Sequence, residues 1–365
     1  MEFKKIKLSA TFLLIIIAMF FGALSSVLAL IIIGAGNFKM PFIGKINYAD
    51  SNLGGNVVIE QPRNVVIEQD QQLTRVENDL LPTVFNIYPI KKGTDVLSKA
   101  YLESEALGRG INLTADGWFL TTSEAVKDLK ANYYLVGYQS KKYQSEYFTE
   151  DKSAGLVFGK ISGASNLPVA KLGSASDLTL GQTLVLISSR NSLELVNISK
   201  IGYSAGSAAD LILSSDKLEK RIFLNRTFDK FDEGSVLANL KGEVVGIVSG
   251  GSAIPVDYFS KNISQVLEKK QVARPLLGIE YLDLAQIDGT IEIADKGAYV
   301  AKDPIKGFAA YGLVKKGDLI KKVNDYELNA FFGLEEAVNK YRPGDRVDLL
   351  LLRDGKDLTI PIVFK

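Results

Sequence analysis

The stretch Asn239-Leu-Lys-Gly-Glu-Val-Val-Gly-Ile-Val248 combines a turn signal, Lys241-Gly242, with a run of β-branched residues shortly after it. Gly favours a tight turn, and Val and Ile favour strands, so the stretch predicts a turn followed by a buried strand. Similar short runs, separated by turn residues, recur through residues 80–249, at 83–88, 118–121, 182–187 and 211–213. Many short strands of this kind predict an all-β barrel or sandwich.

A second β-rich region follows the first. Residues 256–271 have helical periodicity and predict a helix that leads into it. The elements expected after this helix are a strand opening at 277–279, a strand at 317–324, a short helix at 334–341 and a hairpin formed by 347–352 and 358–363. The chain of 365 residues is long enough for two domains, which we place at 75–271 and 272–365.

The charged residues almost balance, with 43 Lys+Arg against 42 Asp+Glu and a net charge of +1. This balance gives no overall attraction to nucleic acid, and we expect no nucleic-acid partner. The chain contains no His and no Cys. A Ser-His or Cys-His nucleophile pair, a disulfide, a thiolate zinc site and an imidazole metal ligand are therefore excluded. We expect no cofactor and no metal.

The N-terminal segment has the pattern of a membrane anchor. Lys4, Lys5 and Lys7 precede the run 8–33, which contains no charged residue. At about 1.5 Å per residue a helix over this run is roughly 39 Å long, more than the ~30 Å hydrocarbon core of a bilayer. The lysines favour a cytoplasmic N-terminus at 1–7. The sequence thus predicts a single-pass protein of the plasma membrane, with most of the chain extracytoplasmic.

A cleavable signal peptide is the alternative, because the same lysines form a basic n-region. Ser25, Ser26 and Ala29 supply the small residues of a cleavage site. The apolar run continues past them to Ile33, which favours the uncleaved anchor.

Residues 34–74 have the composition of a stalk or linker. They contain a short duplication, Asn56-Val-Val-Ile-Glu-Gln61 and Asn64-Val-Val-Ile-Glu-Gln69. Each copy could form a short strand, and two such strands could pair within one chain or between chains.

Several motifs occur in a fixed order along the chain. They are Gly108-Arg-Gly110, Asp116-Gly-Trp-Phe-Leu-Thr121, Leu167-Pro-Val-Ala-Lys-Leu-Gly173, the stretch 239–247, Ala253-Ile-Pro255, Gly307-Phe-Ala-Ala-Tyr-Gly-Leu313 and Lys316-Gly-Asp-Leu-Ile320. In this order they resemble the HtrA/DegS family of membrane-anchored serine proteases, over residues 75–365. The resemblance implies a mostly β fold: an N-terminal transmembrane helix, a chymotrypsin-like double β-barrel and a PDZ domain, which is a β-sandwich with short helices.

The resemblance also locates the family's catalytic triad. Glu124 stands at the position of the histidine, Gly155 at that of the aspartate and Glu233 at that of the serine. Phe231 stands where the family has a glycine that lets the backbone direct an N–H into the oxyanion hole. We therefore expect a pseudoprotease that has no catalytic residues and is not an enzyme.

Glu124 and Glu233 would lie close together if the family fold is kept. Two close carboxylates can share a proton, hold a cation or act as an acid-base pair in a hydrolase. The alternative is a remodelled cleft in which each Glu finds a basic partner, such as Lys230 or Arg226.

The PDZ domain keeps its motifs. In PDZ domains, backbone N–H groups of a loop capture the terminal carboxylate of a peptide, and the peptide adds a strand to a sheet edge. The peptide-binding residues that the resemblance implies are Leu276, Leu277, Gly278, Ile279, Tyr281, Leu334 and Val338. We expect a ligand with an apolar C-terminal residue.

The partners that the resemblance implies are C-terminal peptides, and unfolded or membrane proteins held through the PDZ domain. Family members are commonly trimers, so a homotrimer or an assembly with an active HtrA paralogue is expected. The expected role is that of a scaffold or regulator in protein quality control.

Overall fold

A computed structural model describes residues 17–26, 39–40, 44–45, 63–189, 192–204, 207–285, 296–329 and 331–365. The chain divides into two compact units, Met1–Arg63 and Asn64–Lys365. In the first unit, a helix (α1) covers 17–26, and strands β1 (Lys39–Met40) and β2 (Gly44–Lys45) pair antiparallel. No helix in these described ranges is both long enough and apolar enough to cross a membrane.

Much of the expected anchor and stalk lies outside the described residues. This holds for the segment 1–7, for most of the span 8–33 and for the first copy of the repeat. The second copy, 64–69, begins the helix α2 (Arg63–Leu80), so this copy forms a helix and not the short strand that its residues also allow. Leu73, Val76 and Leu80 recur at helical spacing and pack on the core of the following domain, which explains the helix.

The first barrel has six antiparallel strands that close in the order β3-β4-β5-β8-β7-β6. They are β3 (Val84–Pro89), β4 (Gly108–Asn112), β5 (Trp118–Thr122), β6 (Tyr133–Gly137), β7 (Lys142–Asp151) and β8 (Leu156–Ile161), with a short helix α3 (Val96–Lys99) after β3. Phe119 packs edge-to-face on Phe85 and Phe148 inside the barrel. A Cβ at Gly159 would lie 2.3 Å from the Phe119 ring, so glycine is required there.

The second barrel is a closed ring of six strands with one strand added at its side. The strands are β9 (Lys171–Leu172), β10 (Thr183–Ser189), β11 (Ser192–Gly202), β13 (Arg221–Leu224), β14 (Val236–Ala238), β15 (Glu243–Ser249) and β16 (Ser252–Pro255). The ring runs β14-β10-β11-β13-β16-β15 and closes by pairing of β14 with β15, while β9 pairs parallel with β15. The turn and strand predicted at 239–248 are confirmed.

Strand β12 (Ile212–Ser214) does not belong to either barrel, although the run 211–213 predicted a barrel strand. It pairs with the first strand of the C-terminal domain. A local pattern of apolar residues predicts a strand but cannot tell which sheet edge the strand joins.

The helix expected at 256–271 is broken into two single turns, Val256–Tyr258 and Ser260–Asn262, followed by α4 (Ile263–Lys269). Val256 and Phe259 are both fully buried in the core, and this packing replaces one regular helix by tighter turns. Lys270 adopts a left-handed conformation that ends α4. The expected boundary between domains at 271–272 stays a prediction.

The C-terminal domain is a sheet in the order β12-β17-β18-β19-β21-β22, with β20 beside β19. Its elements are β17 (Glu280–Asp283), β18 (Ala298–Val300), β19 (Leu319–Val323), β20 (Tyr326–Glu327), α5 (Leu334–Val338), β21 (Arg346–Arg353) and β22 (Lys356–Val363). The closing hairpin is confirmed. The first strand begins at Glu280 rather than at 277, because Gly278 has φ +79 and cannot extend the strand. The expected fold class, a chymotrypsin-like double barrel followed by a PDZ domain, is confirmed for the described residues.

A buried ion pair joins the C-terminal domain to the first barrel. Arg274 Nε donates to Asp151 Oδ1 at 2.8 Å, and the two side chains are 7% and 1% exposed. The same guanidinium also reaches Asn339, just after α5. Removal of either charge would leave the other buried and unpaired, which is strongly destabilising.

Candidate peptide-binding site and inter-barrel cleft

The first two positions aligned with the triad lie on neighbouring turns of the first barrel. Gly155, at φ +71, lies between β7 and β8, and its carbonyl accepts the N–H of Ser123 at 3.0 Å. Glu124 follows Ser123, and its carboxylate pairs with Lys127 at 3.0 Å. Both side chains of this pair are more than half exposed, so the pair contributes little to stability.

The third position, Glu233, lies on a loop of the second barrel that touches the first. Its carbonyl accepts the N–H of Arg109 at 2.9 Å, and its Oε2 accepts the N–H of Gly250 at 3.2 Å. A Cβ at Gly108 would lie 2.5 Å from the Cβ of Ala125 and 3.0 Å from the Glu233 carbonyl. The turn of Glu124 and the loop of Glu233 therefore meet at Gly108.

The loop before Glu233 is held by polar contacts on both sides of Phe231. The Phe231 N–H donates to the Asp229 carboxylate at 2.7 Å, and the Phe231 carbonyl accepts from Arg109 Nη1. Burial lowers the pKa of the Arg109 guanidinium. A Cβ at Gly234, where φ is +77, would lie 2.2 Å from the Arg109 carbonyl. The Phe231 N–H is thus held by Asp229 rather than directed into a cleft.

The basic partners expected for the two glutamates lie elsewhere. Arg226 pairs with Glu194 at 2.6 Å and with the buried Asp232 at 2.7 Å. Lys230 lies over the ring of Phe231, 4.8 Å from its centroid. No group of three or more His, Cys, Asp or Glu side chains that could hold a metal ion occurs among the described residues.

The seven residues expected to bind peptide lie together at one edge of the C-terminal sheet. They are Leu276, Leu277, Gly278 and Ile279 in the loop before β17, Tyr281 in β17, and Leu334 and Val338 in α5. All except Leu276 are buried. The Leu276 N–H donates to the carbonyl of Lys365 at 3.2 Å, so this group is already engaged. A Cβ at Gly278 would lie 2.3 Å from the Cβ of Phe308, so glycine is required in the loop.

This edge already carries a strand of the same chain. β12 runs antiparallel to β17, with Leu213 opposite Tyr281. Beyond β12 the Ser215 N–H donates to the Ile279 carbonyl at 2.9 Å, and Ser215 Oγ accepts the Ile279 N–H at 3.0 Å. Leu213 is only 7% exposed and belongs to the hydrophobic cluster that contains Leu334.

A carboxylate sits on the loop before β17. Asp216 Oδ1 accepts the N–H of Leu277 at 2.7 Å, and Asp216 Oδ2 accepts the N–H of Gly278 at 3.0 Å. Charge-assisted bonds of this kind are roughly twice as strong as bonds between neutral groups. The loop therefore binds a carboxylate through converging backbone N–H groups.

A second carboxylate, Glu335, is buried behind the same edge in α5. Tyr203 donates its hydroxyl to Glu335 Oε1, and Tyr281 donates its hydroxyl to Glu335 Oε2. Burial raises the pKa of Glu335 to about 7, and the charge of Glu336 adds to this, while the two hydroxyls oppose it. Burial, followed by the charge of Glu335, also raises the pKa of Tyr203 and of Tyr281.

Lys220 adds a further contact between α5 and the segment that carries β12. Its Nζ donates to the Phe331 carbonyl at 2.6 Å and pairs with Glu336 at 3.2 Å. Both charged side chains are mostly buried.

Four residues of the site could not be predicted from the sequence: Tyr203, Ser215, Asp216 and Glu335. Their roles depend on contacts between segments far apart in the chain, and no spacing of residues could show them. The only local signal was the strand predicted at 211–213, which carried no indication of its partner.

Comparison with known proteins agrees with this geometry. The family model of the PDZ domain matches residues 275–363. The periplasmic serine endoprotease DegP of Escherichia coli K12 is 26% identical over 268 residues, 70% of this chain and 56% of DegP. A probable periplasmic serine endoprotease, DegP-like, of Pseudomonas fluorescens is 30% identical over 270 residues, 70% of this chain and 55% of that protein. The chain thus spans little more than half the length of these relatives.

Solved structures agree on the fold. The HtrA-type protease AlgW with tripeptide has a TM-score of 0.60 and 20% identity, covering 80% of this chain and 96% of that one. AlgW with decapeptide has a TM-score of 0.58 and 21% identity. Fold and family model together define a trypsin-like double-barrel protein with a PDZ domain. The chain is HtrA-like, with one PDZ domain in the described residues.

The expectation that this chain is not an enzyme is wrong. DegP and the Pseudomonas protein are named serine endoproteases, and similarity to them conflicts with the expected absence of activity. The absence of His excludes a Ser-His pair. It does not exclude acid-base chemistry by carboxylates. The expectation rested on the replacements Glu124, Gly155 and Glu233, and two of these three residues are themselves carboxylates. Membrane association and specific partners stay predictions.

The buried Glu335 predicts a dependence of stability on pH. Its ordinary pKa is 4.5 and its folded pKa is about 7, so the folded chain binds more protons between these values. The free energy of unfolding should therefore fall as pH rises through this window. Glu335→Gln should flatten the slope and stabilise the protein above pH 7 by up to ~3 kcal/mol. Chemical unfolding at pH 5, 6, 7 and 8 measures the free energy of unfolding and its slope with pH. The exposed Glu268→Gln should keep the wild-type slope, and parallel curves for wild type and Glu335→Gln would contradict the assignment.

Proposed function

We propose that this chain is an extracytoplasmic, HtrA-like protein whose PDZ groove binds the C-termini of other proteins, as a scaffold or regulator. The observation that carries the proposal is the pair of N–H groups of Leu277 and Gly278, which converge on a carboxylate. Beside them the edge of β17 accepts an antiparallel strand. A peptide with a free C-terminus offers both a strand and a carboxylate.

The chemistry of the groove favours an apolar side chain next to the carboxylate. Leu277, Ile279, Leu334 and Val338 are buried in one hydrophobic cluster at the groove. Burial of a Leu- or Ile-sized ligand side chain there is worth about 1.5–3 kcal/mol. Proteins whose C-termini become exposed, such as unfolded or membrane proteins, are the partners that this chemistry suits.

A peptide titration tests the proposal. A labelled peptide with an apolar last residue and a free carboxylate should bind in fluorescence anisotropy. The same peptide with an amidated C-terminus should bind at least about tenfold more weakly, because it lacks the charge that the loop N–H groups accept. Gly278→Ala should abolish binding, whereas Gly355→Ala should not, since it has a similar φ of +74 but open space around it. Equal affinity of the free and amidated peptides would refute the proposal.

We also place the described domains outside the cytoplasm, behind a membrane anchor. The charge-free run 8–33 after Lys4, Lys5 and Lys7 supports the anchor. The relatives DegP and its Pseudomonas counterpart are named periplasmic, which supports the compartment.

Extraction at alkaline pH tests the anchor. The full chain should stay in the membrane pellet, and Ile17→Lys combined with Phe20→Lys should release it, because two charges in the run oppose insertion. Ser25→Ala in the same run should leave the protein in the pellet. Release of the wild-type chain would argue for a cleaved leader.

A second candidate function is peptide hydrolysis, which the serine endoprotease names of the relatives favour. Because the chain has no His, we infer that turnover would depend on carboxylates at the inter-barrel cleft, with Glu124 and Glu233 as the acid-base pair. One oxygen of Glu233, Oε1, is buried without a hydrogen-bond partner in the described part of the chain, so this carboxylate has one oxygen left to carry a proton.

Casein hydrolysis, with and without Ca²⁺ or Mg²⁺, tests this candidate. Glu233→Gln should lower turnover by about 100-fold, the scale of general acid-base catalysis. Glu268→Gln, on the exposed face of α4, should leave turnover unchanged. Turnover that survives Glu233→Gln would remove the carboxylate mechanism.

A further inference from the structure

The peptide groove is occupied by the chain itself. Residues 212–216, between β11 and β13, use the features that an incoming peptide needs. We propose that this segment, Ile-Leu-Ser-Ser-Asp, is an internal ligand of the PDZ groove, and that a free peptide binds only when the segment leaves. The proposal rests on the peptide-binding function proposed above.

The backbone contacts of the segment are those of an added strand. Ile212, Leu213 and Ser214 pair with Leu282, Tyr281 and Glu280 in an antiparallel register. Each strand edge has one row of hydrogen-bonding groups, so a second strand cannot pair with the same side of β17. The edge is closed while β12 is in place.

The side-chain carboxylate of Asp216 occupies the N–H groups that the terminal carboxylate of a peptide would need. The N–H groups of Leu277 and Gly278 both donate to the side chain of Asp216. A terminal carboxylate of a bound peptide would need these N–H groups, and two carboxylates so close would repel each other. Asp216 thus takes the place of a C-terminus by means of a side chain, which lets the groove accept the middle of a chain.

The chain on either side of the segment is anchored independently of the groove. On one side Tyr203 reaches Glu335. On the other, Leu218 is buried in the core that the two barrels share, and its N–H donates to the Ser153 carbonyl at 2.8 Å. Between these points β12 has three residues, and Ile212 is 37% exposed. Release of such a segment is a local opening that leaves both anchors in place.

The covalent connection of the segment to the rest of the chain determines how strongly it competes with a free peptide. A segment that belongs to the same chain competes at an effective concentration that reaches the millimolar range for short connections. The apparent Kd of a free peptide is then its intrinsic Kd divided by the fraction of molecules with an open groove. Only peptides with good complementarity, or present at high local concentration, bind under this constraint.

An engineered disulfide tests the occupancy directly. The chain has no Cys, so one added pair forms one defined bond. Ile212 and Leu282 are opposite each other in the register and neither is buried, so Ile212→Cys with Leu282→Cys should cross-link the segment into the groove. The oxidised protein should lose binding of the labelled free-carboxylate peptide, and dithiothreitol should restore it.

A matched pair controls for effects of the cross-link itself. Leu350 and Thr359 are opposite each other in the hairpin of β21 and β22. The variant Leu350→Cys with Thr359→Cys should bind the peptide equally in its oxidised and reduced forms.

A charge substitution gives an independent measurement. Asp216→Asn keeps the shape of the side chain and removes its charge, so the segment should compete less well and the peptide Kd should fall about tenfold. Asp354→Asn, at the exposed turn of the hairpin, should leave the Kd at its wild-type value.

The outcomes of these experiments distinguish the internal ligand from the peptide-binding function on which it rests. Equal peptide binding by the oxidised and reduced forms of the double variant Ile212→Cys with Leu282→Cys would overturn the internal ligand, as would failure of this variant to cross-link in the folded protein. An unchanged Kd for Asp216→Asn would do the same, and in each case peptide binding itself would stand. Absence of binding in every form, including the reduced double variant and Asp216→Asn, would overturn the peptide-binding function and the internal ligand with it.

Discussion

The loop before β17 presents backbone N–H groups that require a negatively charged partner. Gly278, at φ +79 and packed against Phe308, turns the chain so that its own N–H and that of Leu277 point to one place. Buried N–H groups without an acceptor cost about 1–3 kcal/mol each, so the loop is stable only when an acceptor is present. The side chain of Asp216 meets this requirement from within the chain. Together with the pairing of β12 and β17, this contact holds the connection from β11 to β13 against the C-terminal sheet.

Much of the architecture could be predicted from the sequence, because it depends on local pattern. The turn at Lys241-Gly242 and the strand after it lie where expected, as does the hairpin around the turn Arg353-Asp-Gly-Lys356. Local pattern was not enough where distant segments decide the structure. The second copy of the repeat, 64–69, has β-branched residues but is helical, because the rest of α2 packs one face on the barrel. The strand at 212–214 was predicted, whereas its partner about 70 residues away was not.

The residues of the candidate site also fall into two groups, those predicted from a sequence motif and those placed by tertiary structure. The residues around Gly278 carry a sequence motif, and that motif led to their prediction as a peptide groove. Glu335 could not be assigned in this way, since an acidic residue in the first turn of a short helix is ordinarily a solvated one. Its burial comes from Tyr203 and Tyr281, which approach α5 from two other segments. A buried carboxylate that accepts two hydroxyls and has a raised pKa is a product of tertiary structure alone.

The inter-barrel cleft is the place where the turn of Glu124 meets the loop of Glu233. It differs from the peptide groove in the contacts that hold its loops. Arg109 holds the Phe231 carbonyl, Asp229 holds the Phe231 N–H, and the close approach of Gly234 to Arg109 fixes the loop that leads through Glu233. The N–H and the carbonyl of Phe231 thus both have partners within the loop and the first barrel. Glu233 offers one carboxylate oxygen bound to Gly250 and one buried without a hydrogen-bond partner in the described part of the chain. Buried polar atoms of this kind tend to mark functional positions, because a folded chain ordinarily satisfies them. The proposed peptide site and the proposed carboxylate pair use separate residues of this fold, so a defect in one can be measured without loss of the other.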